Sequence, residues 1–117
     1  MSYQTTSNFM ANKTFIQKFI SSLNSDERVE LADKFLNDKI EAVLKDQELK
    51  SSIDAFFENN LNISETSRNA YMHRNTLLYR IEKIYKITGL NIRNFDDAVQ
   101  FLVLGTIYEI TKNLRMR

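Results

Sequence analysis

An all-α fold, a compact helical bundle, is what this sequence predicts, and three observations predict it. The 117 residues contain no proline and only two glycines, Gly89 and Gly105, so the usual punctuation of hairpins and phosphate-cradling loops is missing. Apolar residues recur at helical spacing along nearly the whole chain. The hydrophobic content of 43% suffices to close one core in a chain the size of one domain.

Composition also removes whole classes of chemistry. The chain has no cysteine and a single histidine, His73, so neither a disulfide framework, nor a thiolate nucleophile, nor a metal site is expected. No pattern pairs an acid with a base or nucleophile, so an enzyme is not expected and no cofactor is implied. The longest apolar run, Phe101 to Leu104, is far too short for a bilayer, and Met1 to Ala11 lacks the pattern of an export signal. A cytoplasmic location with no membrane partner follows as the expectation.

Element by element, residues 1–11 are polar and aperiodic and read as a flexible N-terminal arm. Phe15, Ile16, Phe19, Ile20 and Leu23 then mark a short first helix. Ser25, as N-cap before Asp26 and Glu27, opens a second helix that runs to about Lys45, with Val29, Ala32, Leu36, Ile40 and Val43 on one stripe. This stripe resembles a heptad seam for barely two repeats, so residues 12–46 are assigned as a helical linker or dimerisation region. A third helix carries Leu49, Ile53, Phe56 and Phe57 and stops at Asn59-Asn60. Phe15, Phe19, Phe35, Phe56, Phe57 and Phe101 are all expected in the core.

After Asn59-Asn60 the pattern tightens into two helices joined by a short turn. Ser64 is placed as the N-cap of a short helix, Glu65 to Ala70, and Tyr71-Met72-His73 forms the turn. The next helix spans Arg74 to Thr88, with Gly89 in the place of a left-handed cap. Asn94 and Asp97 resemble a capping box, opening a last helix from Phe95 to about Asn113 that is apolar on nearly every side and so expected to be central. Lys112, Arg115 and Arg117 read as a solvated tail.

On the Arg74 to Thr88 helix, Leu77, Leu78, Ile81, Ile84, Tyr85 and Thr88 share one side, which must pack on the domain. The other side carries Asn75, Thr76, Tyr79, Arg80, Lys83 and Lys86, amide, hydroxyl and cationic groups suited to base edges and phosphates, interrupted by Glu82. Charge segregates to match: Ser25 to Glu58 holds ten acids against five bases, whereas Arg68 to Arg93 holds six bases against one acid. A helix-turn-helix that binds double-stranded DNA is the reading, with residues 47–117 as its domain. Asn75, Tyr79 and Arg80 are assigned to bases and Arg74, Thr76 and Lys83 to the backbone. Arg68 and His73 complete the DNA-binding set, His73 as a turn residue that caps the helix or touches a phosphate.

The residues Ser64-Glu65-Thr66-Ser67, then Met72-His73-Arg74-Asn75-Thr76-Leu77-Leu78-Tyr79-Arg80-Ile81, then Ile87-Thr88-Gly89-Leu90, resemble the C-terminal helix-turn-helix domain of PucR-type (CdaR-like) bacterial transcription regulators. The likeness covers about Leu49 to Leu104. It implies that Arg74, Asn75, Thr76, Tyr79 and Arg80 face DNA, that Leu77, Ile81 and Ile84 are buried, and that the protein regulates transcription as a homodimer on paired half-sites. It also implies a larger N-terminal sensory region, absent from these residues. Two departures stand out: Ser67 replaces the family's usual alanine and Ala70 its usual leucine, which points to looser packing between the two helices. A second function class competes, a protein-interaction or dimerisation module in which the helix-turn-helix is only scaffold.

Overall fold

The computed structural model describes residues 9–12 and 14–115, and every described element is helical. These are α1 (Phe9–Asn12), α2 (Thr14–Ser21), α3 (Ser25–Phe35), α4 (Asp38–Lys45), α5 (Gln47–Glu58), α6 (Ile63–Asn69), α7 (Arg74–Thr88) and α8 (Phe95–Arg115). The bundle is organised around α8, whose Phe101, Leu104, Ile107 and Tyr108 are buried. Helices α1, α2, α3 and α4 all pack against it, as its all-round apolar sequence predicts. On the other side, α4, α5 and α6 hold α7. A single buried cluster runs through both groups, from Ile20, Ala32 and Leu36 to Leu77, Ile81 and Ile84.

Several expectations need correction. The long second helix is two helices. Leu36 turns extended (φ −86°, ψ 151°), and the Asn37 side chain accepts the Ile40 N–H at 2.9 Å, capping a new helix. Asparagine competes for local backbone donors, and here it wins because the bend lets α3 lie on α8 while α4 turns to reach α5 and α7. The cap of α3 is Asn24 rather than Ser25. Its Oδ1 accepts from Glu27 N at 2.8 Å and its own N–H donates to Glu27 Oε1 at 3.0 Å, a reciprocal capping box. At α8 the expected box is rearranged: Asn94 accepts from Asp96 N, while Asp97 reaches back to the N–H of Asn91.

Of the six phenylalanines expected inside, Phe56, Phe57 and Phe101 are buried, but Phe15 and Phe19 are 72% and 64% exposed and Phe35 is exposed as well. The eight residues of α2 carry two apolar i, i+4 pairs about one hundred degrees apart. With α8 as its neighbour, α2 turns the Ile16/Ile20 pair inward and leaves the phenylalanines stacked on each other outside, ring centroids 6.2 Å apart. The N-terminal arm also ends sooner than expected. Residues 1–8 lie outside the described residues, but Met10 of α1 is fully buried. Gly105 makes this possible, because a Cβ there would stand 1.9 Å from Met10 Sδ. The Thr106 hydroxyl lies 3.0 Å from the Met10 carbonyl and ties the same two elements. Residues through Arg115 are helical, and Lys112 is paired with Glu109 at 2.9 Å rather than left as a solvated tail; Arg117 lies outside the described residues.

Beneath α1 sits a buried carboxylate. Asp54 of α5 is fully buried and bonded to Lys50 Nζ at 2.9 Å, and Lys50 also faces Glu109 of α8 at 3.7 Å. Among the described residues Asp54 Oδ1 has no close hydrogen-bond partner. Burial therefore pushes the Asp54 carboxyl up to about 6, against the opposing pull of Lys50 and of the main chain at Met10 and Phe9.

Candidate nucleic-acid interface

Helix α6 begins at Ile63, so Ser64 lies inside it rather than capping it. Asn62 is its cap, with Oδ1 accepting from Glu65 N at 2.8 Å, and Ile63 and Thr66 bury its inner side. It ends in a Schellman close: Met72 N donates to Ser67 O at 2.9 Å and Tyr71 N to Arg68 O at 3.4 Å, with Tyr71 left-handed at φ 52°. Ser67 then closes the ring in the other direction, its hydroxyl donating to the Met72 carbonyl. The serine that departs from the expected alanine is thus a clasp across the turn rather than a loosened contact. A further bond, Asn69 Nδ2 to Asn59 Oδ1 at 2.6 Å, fastens the end of α6 to the end of α5.

Helix α7 has the bounds expected from the sequence, with Gly89 as its left-handed cap at φ 81° and its N–H on Tyr85 O at 2.7 Å. Thr88 stiffens this end, its hydroxyl donating to Ile84 O and accepting from Leu90 N. Leu77, Ile81 and Ile84 are buried and Leu78 is half-buried, as expected, but Tyr85 is exposed rather than packed. The outer side carries Arg74, Asn75, Tyr79, Glu82, Lys83 and Lys86, all exposed, with Tyr79 at 66%. Thr76 is half-buried.

The expected DNA-facing residues are not all equally presented. His73 caps α7, its Nδ1 accepting from Asn75 N at 3.3 Å. Arg74 reaches back to the Ser64 hydroxyl at 3.1 Å, so α6 and the start of α7 share one exposed polar corner. Arg68 is exposed and paired with Glu65 at 3.2 Å. Arg80 is the exception. Its guanidinium donates to Ser52 Oγ at 3.0 Å and faces Glu48 at 3.7 Å, both on α5, and the side chain is 21% exposed. Sequence reasoning missed Ser52 and Glu48 because a partner 28 residues away leaves no periodic trace.

Two helices joined by a clasped turn, the second apolar behind and polar in front, define a helix-turn-helix domain. Residues 49–104 match the model of the PucR C-terminal helix-turn-helix domain. The chain is similar to the carbohydrate diacid regulator of Escherichia coli (strain K12), 40% identical over 55 residues, which is 47% of this chain and 14% of that protein. It is also similar to the purine catabolism regulatory protein of Bacillus subtilis (strain 168), 33% identical over 70 residues, 56% of this chain and 13% of that protein. The chain spans less than a fifth of the length of the curated relatives it matches. No solved structure matches it. Among the described residues no helix is long and apolar enough to cross a membrane, and no cluster of His, Asp and Glu could hold a metal ion.

Proposed function

We propose that this chain is a DNA-binding transcription regulator, or the DNA-binding part of one, that lays α7 in the major groove and acts as a homodimer. One observation carries the reading: α7 buries Leu77, Ile81 and Ile84 while leaving Asn75, Tyr79 and Lys83 exposed on a helix of the PucR domain. In this reading Asn75 and Tyr79 meet base edges, and Arg74, Thr76 and Lys83 hold the phosphates, with the free N–H groups of the first turn of α7 beside them. Arg68 and His73 sit at the margin of the same contact. Arg80 serves from behind, bracing α7 on α5 through Ser52.

The test is fluorescence anisotropy against a pool of random duplex DNA at several salt concentrations. Binding should weaken steeply with salt, and Lys83→Ala should weaken it on all sequences while lowering the salt slope by about one. Absence of binding at low salt would refute the reading.

A second reading has its own observation. Phe15 and Phe19 stack in the open on α2, and an apolar cleft of about 340 Å³ opens among Phe57, Leu61, Phe95 and Val99. Such exposed apolar surface suits protein contact, so the helix-turn-helix could instead be a scaffold for association. Dissociation on dilution together with no retardation of DNA would favour this alternative.

A further inference from the structure

The turn between α6 and α7 presents a side chain that the reading of α7 leaves without a role. Tyr71 adopts φ 52°, a region that crowds the Cβ of any L residue and that Schellman turns normally assign to glycine or asparagine. Glycine would close this turn without strain. The chain instead carries a tyrosine that is 93% exposed, and no hydrogen bond or ring contact joins its side chain to the described residues. Nothing in the folding of this domain uses the ring, although the backbone beneath it is unusually well held. Ser67 and Met72 bond to each other in both directions across the turn, and Asn69 is fastened to Asn59, so the direction in which Tyr71 leaves the fold is preset. A strained position that is firmly held and serves no packing is where a contact outside the molecule is to be sought.

The surroundings say what kind of contact. Tyr71 lies between two exposed arginines, Arg68 and Arg74, and two residues before His73, the cap of α7. A turn that directly precedes a groove-reading helix lies at the lip of the groove, against the sugar-phosphate strand rather than the base edges. A phenol fits that strand: its hydroxyl can donate to a phosphate oxygen and its flat ring can lie on deoxyribose, with neither contact depending on sequence.

We propose that Tyr71 is a DNA-backbone contact of this helix-turn-helix, its hydroxyl donating to a phosphate of the strand that borders α7. The proposal rests on the reading of α7 given above, and the experiment keeps the two apart. Anisotropy is measured for the wild-type chain and for Tyr71→Gly, Tyr71→Phe and Lys83→Ala on one duplex pool across a salt series, with thermal melts of each. Tyr71→Gly is expected to melt at the same temperature or higher, because it relieves the left-handed backbone, and yet to bind DNA about tenfold more weakly. Tyr71→Phe should show most of that loss. Both should leave the salt slope unchanged, since no cation is removed, whereas Lys83→Ala lowers it. Wild-type affinity in Tyr71→Gly beside a weakened Lys83→Ala would overturn the Tyr71 contact and leave the role of α7 standing. Full affinity in Tyr71→Phe would overturn the hydroxyl assignment. If the wild-type chain fails to bind, or if Lys83→Ala and Tyr71→Gly both bind as wild type, the reading of α7 falls and takes this contact with it.

Discussion

Replacing Arg80 by alanine separates bracing from base reading. The bond lost is the one from the guanidinium to Ser52 Oγ at 3.0 Å, in a partly buried setting. Ser52 is not orphaned, because its hydroxyl still donates to the Glu48 carbonyl at 2.9 Å, so no buried polar group is left unpaired. The cost of the bond is then the ordinary net value of about 1 kcal/mol. The Glu48 carboxylate, at 3.7 Å with its side chain 78% exposed, adds little. Partial burial of the arginine stem contributes up to about 1 kcal/mol more. Arg80→Ala should therefore destabilise by about 1–2 kcal/mol in urea unfolding, and a double-mutant cycle with Ser52→Ala should show coupling of about 1 kcal/mol. DNA affinity should fall similarly for every sequence, because α7 is less firmly held. Unchanged stability, no coupling, and a loss of about 1–3 kcal/mol confined to one base pair would refute the brace and make Arg80 a reader of DNA.

Two other outcomes follow from buried chemistry and backbone geometry. Asp54 holds its proton more tightly in the folded chain, at about 6 against an ordinary 3.8, so its contribution to stability is full below that ordinary value and is lost as pH rises through about 6. Urea midpoints measured across that window should fall with rising pH through this group, facing Lys50 and Glu109, and the slope should flatten in Asp54→Asn; an identical slope in the variant would refute the assignment. Gly89→Ala should lower stability by about 1 kcal/mol in thermal melts, entirely through φ 81°, since an added Cβ meets no atom within 4 Å; a neutral result would show that the cap tolerates a side chain.

Most of the domain from Leu49 onward was legible because its signals are local. Arg74 to Thr88 could be bounded from an apolar period and a terminal glycine, and the observed helix has the same ends. The N-terminal half misled for the same reason. Its apolar stripe from Val29 to Val43 keeps period straight through Leu36, and only the tertiary demand for contact with both α8 and α7 explains why Asn37 interrupts it. Phe15 and Ile16 are equally good core residues by composition, and the choice between them depends on which neighbour α2 finds. The site divides in the same way. Exposure of Asn75, Tyr79 and Lys83 is written in the helical period, whereas the return of Arg80 to Ser52 and the clasp from Ser67 to Met72 depend on side-chain geometry that no spacing reveals.

The placement of α8 bears on how the chain is made. Helices α1, α2 and α3 lean on α8, the last of the described elements, and Thr106 meets Met10 across 96 positions of sequence. Contacts so far apart close late, after the local ones between α5, α6 and α7 have formed. A chain emerging in order from the ribosome therefore presents Ile20 and Ala32 to solvent until the 21 residues of α8 follow them out. The helix-turn-helix half can assemble first, and the N-terminal half is sealed only once α8 has been made, so a transcript truncated before Phe95 would yield a protein with these N-terminal helices unhoused.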